Sequence, residues 1–479
     1  MHAAFFAPYA ILRPHFETEL ELIHQHLDDG DRVTVWTCLG GPSACDTNQS
    51  GEAYRCIRCR GRRTAGMALI EGDYHESEYE RLNDRQRAAF NAWNPNPTTH
   101  EDLVKIRIEN FDLGWAVLSS MVSLHRDPAI DLVRWSHERN GLMRYAWSVY
   151  YSIRNRIREE NVDRLYVWNG RQAPLRAAMR AAQAEGVPCM LHERGHSHQH
   201  YELYRDVMPH DRDYITREIH DAWERAGETS DRKRVGADWF QRRANGSDKS
   251  EKAYISGQVR GQLPAAWDDS RRNVVVFPSS EDEFVAIGEM WRNPLFSSQL
   301  EGLEWLLTEL ERVKSDVHLT LRIHPNLADV DNEQTRGLAR LQSPWLTKIA
   351  ADDPACTYTL LHHSEKVLTF GSTIGIEAVY WRKASVLAGM SYYRDLGSTN
   401  NPESKESLLT ALHTDLPIPD PEPALKYGYY QATFGQAFKY FQADSRSKGT
   451  FKKQAIRPSM TVQAHAQVVK QLQRFRKSA

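Results

Sequence analysis

Nowhere in this chain of 479 residues does an apolar run approach the ~18 consecutive residues of a bilayer-spanning helix, so no such span is expected. A leader pattern is missing as well. Met1–Leu12 is apolar but has no basic start, contains Pro8, and runs straight into the acidic segment Glu17–Leu22. It reads as a first β-strand rather than a signal peptide. Cysteine is scarce, with six residues in the whole chain, which excludes a disulfide scaffold and fits a reducing cytoplasm. Excess charge is also lacking: the formal net charge of −2 gives no electrostatic case for a nucleic-acid partner. Internal repeats and low-complexity tracts are absent.

What is present is the composition of a large α/β protein. Apolar residues make up 41% and charged residues 26%, the balance of a soluble fold, and the length points to two domains. The 13 Trp and 20 Tyr suit either a carbohydrate-facing surface or simply a large core. Ala3–Ala10 as a strand, Phe16–Leu27 as a helix stopped at Asp28-Asp29-Gly30, and Arg32–Thr37 as a second strand form a βαβ start, which is parallel and right-handed. The region from Glu76 to Glu160 is mostly helical in pattern. Strand Asp163–Trp168, helix Pro174–Glu185 and strand Val187–His192 follow.

Between Thr229 and Gln262 the chain turns polar, placing a domain boundary there. The expected division is a first domain over 1–255 and a second over 265–479. The second α/β set opens with strand Asn273–Phe277 and continues through helices Phe284–Trp291 and Leu300–Lys314. Its later strands are Val317–Ile323, Lys366–Phe370 and Ala384–Leu387. Strands alternating with helices on both sides of a boundary predict two Rossmann-like domains facing a cleft. The basic segment Lys452–Lys477 ends in an amphipathic helix, Val462–Phe475. A solvated face explains it, and so does a peripheral contact with the inner membrane or an assembly complex.

Three strand ends in the second half carry the chemistry. Lys366–Ala378 reads strand, small-residue turn, helix. Gly371 and Gly375 let backbone approach a ligand, Ser372 and Thr373 offer hydroxyls, and the helix start points N–H groups at the same place, as a phosphate requires. An ordinary N-cap and tight turn has the same pattern. Glu377 could accept ribose hydroxyls or complement the helix dipole. Val317–Asn326 alternates, placing Arg322 and His324 on one face at the strand's C-terminal end, where both can hold a phosphate. A simple strand terminus is the alternative. Ser279 and Ser280, after Phe277, are further cleft candidates, and the acids beside them suit a helix start.

In the first half, Asn169-Gly-Arg171 and His192-Glu-Arg-Gly195 also follow strands. His192 and Glu193 are candidate acid/base residues, and Asn169, Arg171 and Arg194 candidate acceptor or anion contacts. Each is also readable as a plain polar strand end. His15 falls in the loop after the first strand, and the alternating His196, His198 and His200 lack the partners of a defined metal site. Cys38, Cys45, Cys56 and Cys59 are separated by six, ten and two residues. They suit either a closed structural zinc site or four buried free thiols. Cys189 and Cys356 read as core.

Taken together, Leu321-Arg-Ile-His-Pro-Asn326 and Thr369-Phe-Gly-Ser-Thr-Ile-Gly-Ile-Glu-Ala378 resemble the C-terminal signature of bacterial capsule polysaccharide synthesis glycosyltransferases, a group that includes Kdo transferases. The pairing of His-Pro with a downstream Ser-Thr is also similar to the donor sites of bacterial sialyltransferases and of CDP-glycerol polymerases. The resemblance covers Val274–Gly389. It implies a GT-B fold, a cytidine nucleotide in the second domain, and no metal or organic cofactor at the reaction centre. It also implies donor-phosphate contacts from His324, Ser372 and Thr373, with Glu377 near ribose or base. The acidic-acidic-Gly base motif of the sialyltransferases has no counterpart in the N-terminal loop. The expected activity is transfer of a sugar, Kdo from CMP-Kdo first, to a lipid-linked or oligosaccharide acceptor in capsule or O-antigen assembly. Its rivals are a CDP-polyol phosphotransferase and a non-catalytic scaffold.

Overall fold

The computed structural model describes residues 1–228, 231–247, 255 and 257–478. The chain divides into two units. The first comprises Met1–Leu124, Ile130–Pro209 and the segment from Phe434 onward, and the second comprises His125–Ala129 and His210–Thr433.

The first unit is built on β1 (His2–Phe6), β2 (Arg32–Thr37), β3 (His75–Glu78), β4 (Arg164–Trp168), β5 (Cys189–Arg194) and β6 (His200–Arg205). β5-β4-β1-β2-β3 run parallel, and β6 pairs antiparallel beside β5. That parallel order is Rossmann-like, with the chain reversing its direction of growth between β1 and β4. β1 is covered by helices and buried throughout, which is why His2–Phe6 reads as a continuous small and apolar run. The helical region expected over 76–160 holds the helices Asp84–Ala92, His100–Val104, Leu113–His125 and Ser136–Glu160, but β3 occupies its start. β3 is exposed and polar, so no alternation betrayed it.

The second unit repeats the topology with β7 (Arg272–Phe277), β8 (Val317–Arg322), β9 (Leu346–Ile349), β10 (Lys366–Thr369) and β11 (Ala384–Leu387). All are parallel in the order β11-β10-β7-β8-β9, so β7 and β10 flank the switch point. The helix expected at Phe284–Trp291 does not form. Short 3-10 turns at Glu281–Glu283 and Glu289–Trp291 stand there instead, with Ala286, Ile287 and Trp291 buried.

The units differ from the expected 1–255 and 265–479. The polar stretch was placed at the boundary, but its described part contains the helix Arg232–Ala244, which packs on Glu422–Thr433 of the second unit. There a Cβ on Gly236 would stand 2.4 Å from the Leu425 carbonyl oxygen. Residues 229–230, 248–254 and 256 of that polar stretch lie outside the described residues. The chain end also returns to the first unit. β12 (Gln436–Ala437) pairs with β6, while β13 (Phe441–Ser445) and β14 (Lys448–Phe451) form a hairpin. The buried carboxylate of Glu21 clasps this segment by accepting the backbone N–H groups of Lys439, Tyr440 and Phe441 at 2.7, 2.8 and 2.9 Å. The final helix, Met460–Ser478, lies on Ala53–Met67, close enough that a Cβ on Gly61 would meet Val462 at 2.4 Å. Among the described residues no helix is long and apolar enough to cross a membrane.

Candidate functional site

In the second unit the candidate residues converge on the switch point. Parallel β7 and β10 put Ser279 and Gly371 side by side, so a Cβ on Gly371 would lie 3.6 Å from Ser279 Oγ and 2.7 Å from the Met390 carbonyl. With φ at +147°, position 371 favours glycine on both counts. Ser279 is fixed by Gln299, which donates to its Oγ at 2.9 Å, and by Gln334, which donates to its carbonyl at 2.8 Å. Tyr393 donates to the Ser372 carbonyl at 2.6 Å, holding the turn closed from behind.

His324 follows β8. Its Nδ1 accepts the Asn326 backbone N–H at 3.1 Å, which assigns the imidazole proton to Nε2. Burial, with the Arg322 and Arg126 charges adding to it, lowers the ring to about 4. The side chain is thus a neutral donor at pH 7, suited to a phosphate oxygen. Arg126, absent from the sequence expectations, joins this group. Its guanidinium donates to the Asn326 carbonyl at 3.1 Å and to Ser280 Oγ at 3.4 Å, and pairs with Asp282 at 3.4 Å. It comes from a region read only as helical, and no local pattern marks it.

Two expected donor contacts are placed elsewhere. Arg322 is 2% exposed, and its guanidinium donates to the carbonyls of Ala350 and Asp353, bracing the turn after β9. The alternation put Arg322 and His324 on one face, but the long arginine reaches sideways to these carbonyls. Glu377 is 0% exposed. It accepts from Tyr358 at 2.6 Å, Thr373 at 3.2 Å and Arg243 at 3.2 Å, so its carboxylate is enclosed by protein rather than open to a ribose. Arg243 also donates to Thr373 Oγ1 at 3.4 Å. This arginine lies in the polar stretch that had been read as boundary.

In the first unit a second group gathers beyond β4 and β5. Glu193 accepts from Asn169 Nδ2 at 2.7 Å, from Trp168 Nε1 at 3.1 Å and from the Arg194 backbone N–H at 2.9 Å, and stands 3.6 Å from His15 Nδ1. Burial pushes its carboxyl up, but His15, Asn169 and Arg194 outweigh that and hold it below the ordinary range. His15 stacks on Trp168 with ring centres 4.4 Å apart, and burial lowers it to about 4. Asn169 takes a left-handed φ of 55°, which turns its amide back toward Glu193.

His192, the other acid/base candidate, is 0% exposed, and burial lowers it to about 3. It sits within the sheet, 3.7 Å from Glu19, and has no open side. Arg171 is likewise internal, donating to Ser119 at 2.7 Å. Arg194 donates to the Arg13 carbonyl at 2.8 Å, just before the helix His15–Asp28 that His15 opens. The histidine that stands beside Glu193 is therefore His15, named in the sequence by its position after the first strand but assigned no role there.

Two Rossmann-like α/β units in one chain, each with its polar residues at the C-terminal strand ends, define a fold of the GT-B class. Residues 271–417 match the family described as capsule polysaccharide biosynthesis protein, a span containing β7 to β11 and every donor candidate. The chain is similar to solved structures of two Thermosulfurimonas dismutans KpsC enzymes. With the beta Kdo 2,4 transferase it shares 14% identity at a TM-score of 0.37, covering 57% of this chain and 80% of that one. With the beta Kdo 2,7 transferase it shares 13% identity at a TM-score of 0.33, covering 67% and 90%. The UDP-GlcNAc 2-epimerase of Methanocaldococcus jannaschii shares 11% at a TM-score of 0.28, covering 89% and 98%. No curated protein matches the chain.

Proposed function

We propose that the chain is a glycosyltransferase of capsule or O-antigen assembly that moves a sugar, Kdo from CMP-Kdo first, to a glycolipid or oligosaccharide acceptor. The observation that carries this reading is the convergence of Ser279, Ser280, His324 and the Gly371–Thr373 turn, all inside the span that matches the capsule family, with Arg126 joining them from outside that span. A nucleotide phosphate placed there meets a neutral imidazole donor, hydroxyls and a guanidinium. Together these stabilise the charge that grows as the sugar leaves. No metal ion is assigned to the reaction centre.

The first unit serves the acceptor. His15 and Glu193 are the acid/base pair, the carboxylate 3.6 Å from the imidazole and itself fixed by Asn169 and Trp168. A neutral imidazole beside an ionised carboxylate can take the acceptor hydroxyl proton as the new bond forms. Incubating the protein with CMP-Kdo and a Kdo-primed glycolipid, in buffer containing EDTA, tests the reading by mass spectrometry of the lipid. Addition of one Kdo, lost in His15→Ala while CMP still binds, supports it. Transfer of a polyol phosphate from a CDP donor would establish the rival phosphotransferase instead.

A further inference from the structure

The four clustered cysteines take no part in that chemistry, yet the fold brings them together. Cys38 and Cys45 lie in the loop between β2 and the helix Ala53–Met67, and Cys56 and Cys59 lie in the early turns of that helix. All four line one cavity of about 30 Å³, whose other walls include Pro8, Tyr9, Tyr145 and the side chains of Arg55, Arg60 and Arg63. That volume suits an ion or a water or two, not an organic ligand. The loop has no strand or helix of its own beyond an isolated bridge between Cys45 and Asn48. A loop of this length packed into a folded unit needs an anchor.

Two of the sulfurs are already addressed by donors. Cys38 Sγ accepts the Gly40 N–H at 3.3 Å with Gly41 behind it, and Cys56 Sγ accepts from Asn48 Nδ2 at 3.3 Å. Cys59 Sγ instead donates to the Pro8 carbonyl at 3.9 Å. Donors aimed at sulfur are what a thiolate requires. Arg63, buried beside Cys38 and Cys59, donates to the Cys38 carbonyl at 2.7 Å and leaves its Nε without a partner. Its contact with Glu76 spans 3.9 Å, so a guanidinium charge stands next to the sulfurs with weak compensation.

We propose that Cys38, Cys45, Cys56 and Cys59 bind one zinc ion as a tetrathiolate site that anchors the 38–52 loop to the helix Ala53–Met67. Among the described residues no three or more Cys, His, Asp or Glu groups are arranged to hold a metal as they stand. Ligation therefore turns side chains inward, foremost Cys45, whose Sγ is drawn aside to Thr47 Oγ1 at 3.4 Å. Each thiol releases its proton to solvent, and the net negative charge of the four thiolates and Zn²⁺ faces Arg63.

The test is metal analysis of the full chain, expressed with added zinc and purified without chelator. About one zinc per chain is expected, falling at least tenfold in C56S/C59S and unchanged in C189S/C356S. Should C56S/C59S fail to fold, cobalt added to metal-stripped wild type keeps the question open to measurement. Intense sulfur-to-cobalt charge-transfer bands with tetrahedral d–d bands support the site. The proposal is overturned by folded wild-type protein without zinc whose four thiols react freely with a thiol reagent. It is equally overturned by a Cys56–Cys59 disulfide, by iron and sulfide in place of zinc, or by zinc retained in folded C56S/C59S.

Discussion

Glu21→Ala should release the C-terminal segment from the first unit. The wild-type carboxylate is 0% exposed and accepts three backbone N–H groups, at Lys439, Tyr440 and Phe441, as well as Gln25 Nε2 at 2.8 Å. Hydrogen bonds to a charged group contribute about 1.5–3 kcal/mol each, but three on one carboxylate are coupled and do not add. A loss of about 3–5 kcal/mol follows, concentrated where the donors lose their acceptor. Hydrogen exchange reads this locally: at about 1.4 kcal/mol per tenfold, amides 439–441 should exchange at least a hundredfold faster. Peptides covering β1 and β4 should keep their protection. Glu21→Gln should fall between the two, because its remaining oxygen still accepts from Tyr440 and Phe441. Exchange at 439–441 within threefold of wild type in Glu21→Ala would refute the clasp.

Burial raises Glu281 to about 7, so its folded-state value lies above the unfolded one. The folded state then binds the proton more tightly, and this group costs stability as pH rises from about 4.5 through 7. Glu281→Gln, which can still accept the Gln299 N–H, should therefore raise Tm at pH 8.5, by up to about 3 kcal/mol of stability, and change little at pH 4.5. An equal shift at both pH values would contradict the burial argument. Gly371→Ala meets the Met390 carbonyl and a left-handed φ, so it should cost about 1–3 kcal/mol by thermal melting and weaken nucleotide binding together. Arg322→Met should lower Tm by removing the bonds to the Ala350 and Asp353 carbonyls, yet leave nucleotide affinity within twofold in calorimetry. A tenfold loss of affinity in folded protein would return Arg322 to the donor site.

The alternation of strand and helix was legible because each β-strand of a doubly wound unit is a short apolar run followed by a small-residue turn. β1, β4, β7, β10 and β11 have that form, while β2 and β8 show through alternation. β3 escaped because it is an exposed edge strand with no apolar face. Side-chain direction was not legible. Alternation placed Arg322 correctly on its strand, but which carbonyls its guanidinium reaches depends on a turn after β9. Glu377 looked available because a first-turn carboxylate usually is, whereas Arg243 and Tyr358, distant in sequence, enclose it. Arg126 and the Glu21 clasp are contacts of the same long-range kind, spanning up to several hundred residues. The division into units was misplaced for a related reason. Charged residues between 229 and 262 read as solvent-exposed linker, yet Trp239 and Phe240 bury that helix on the second unit.

The central claim is a cytidine nucleotide site in the second unit centred on His324. Isothermal titration of CMP, CDP, UDP and GDP into wild type and His324→Ala tests it most directly. The account predicts binding of CMP in preference to UDP and GDP, and at least a tenfold loss of CMP affinity in a His324→Ala protein that melts like wild type. Equal CMP affinity in both proteins, or no nucleotide binding by wild type, would contradict it.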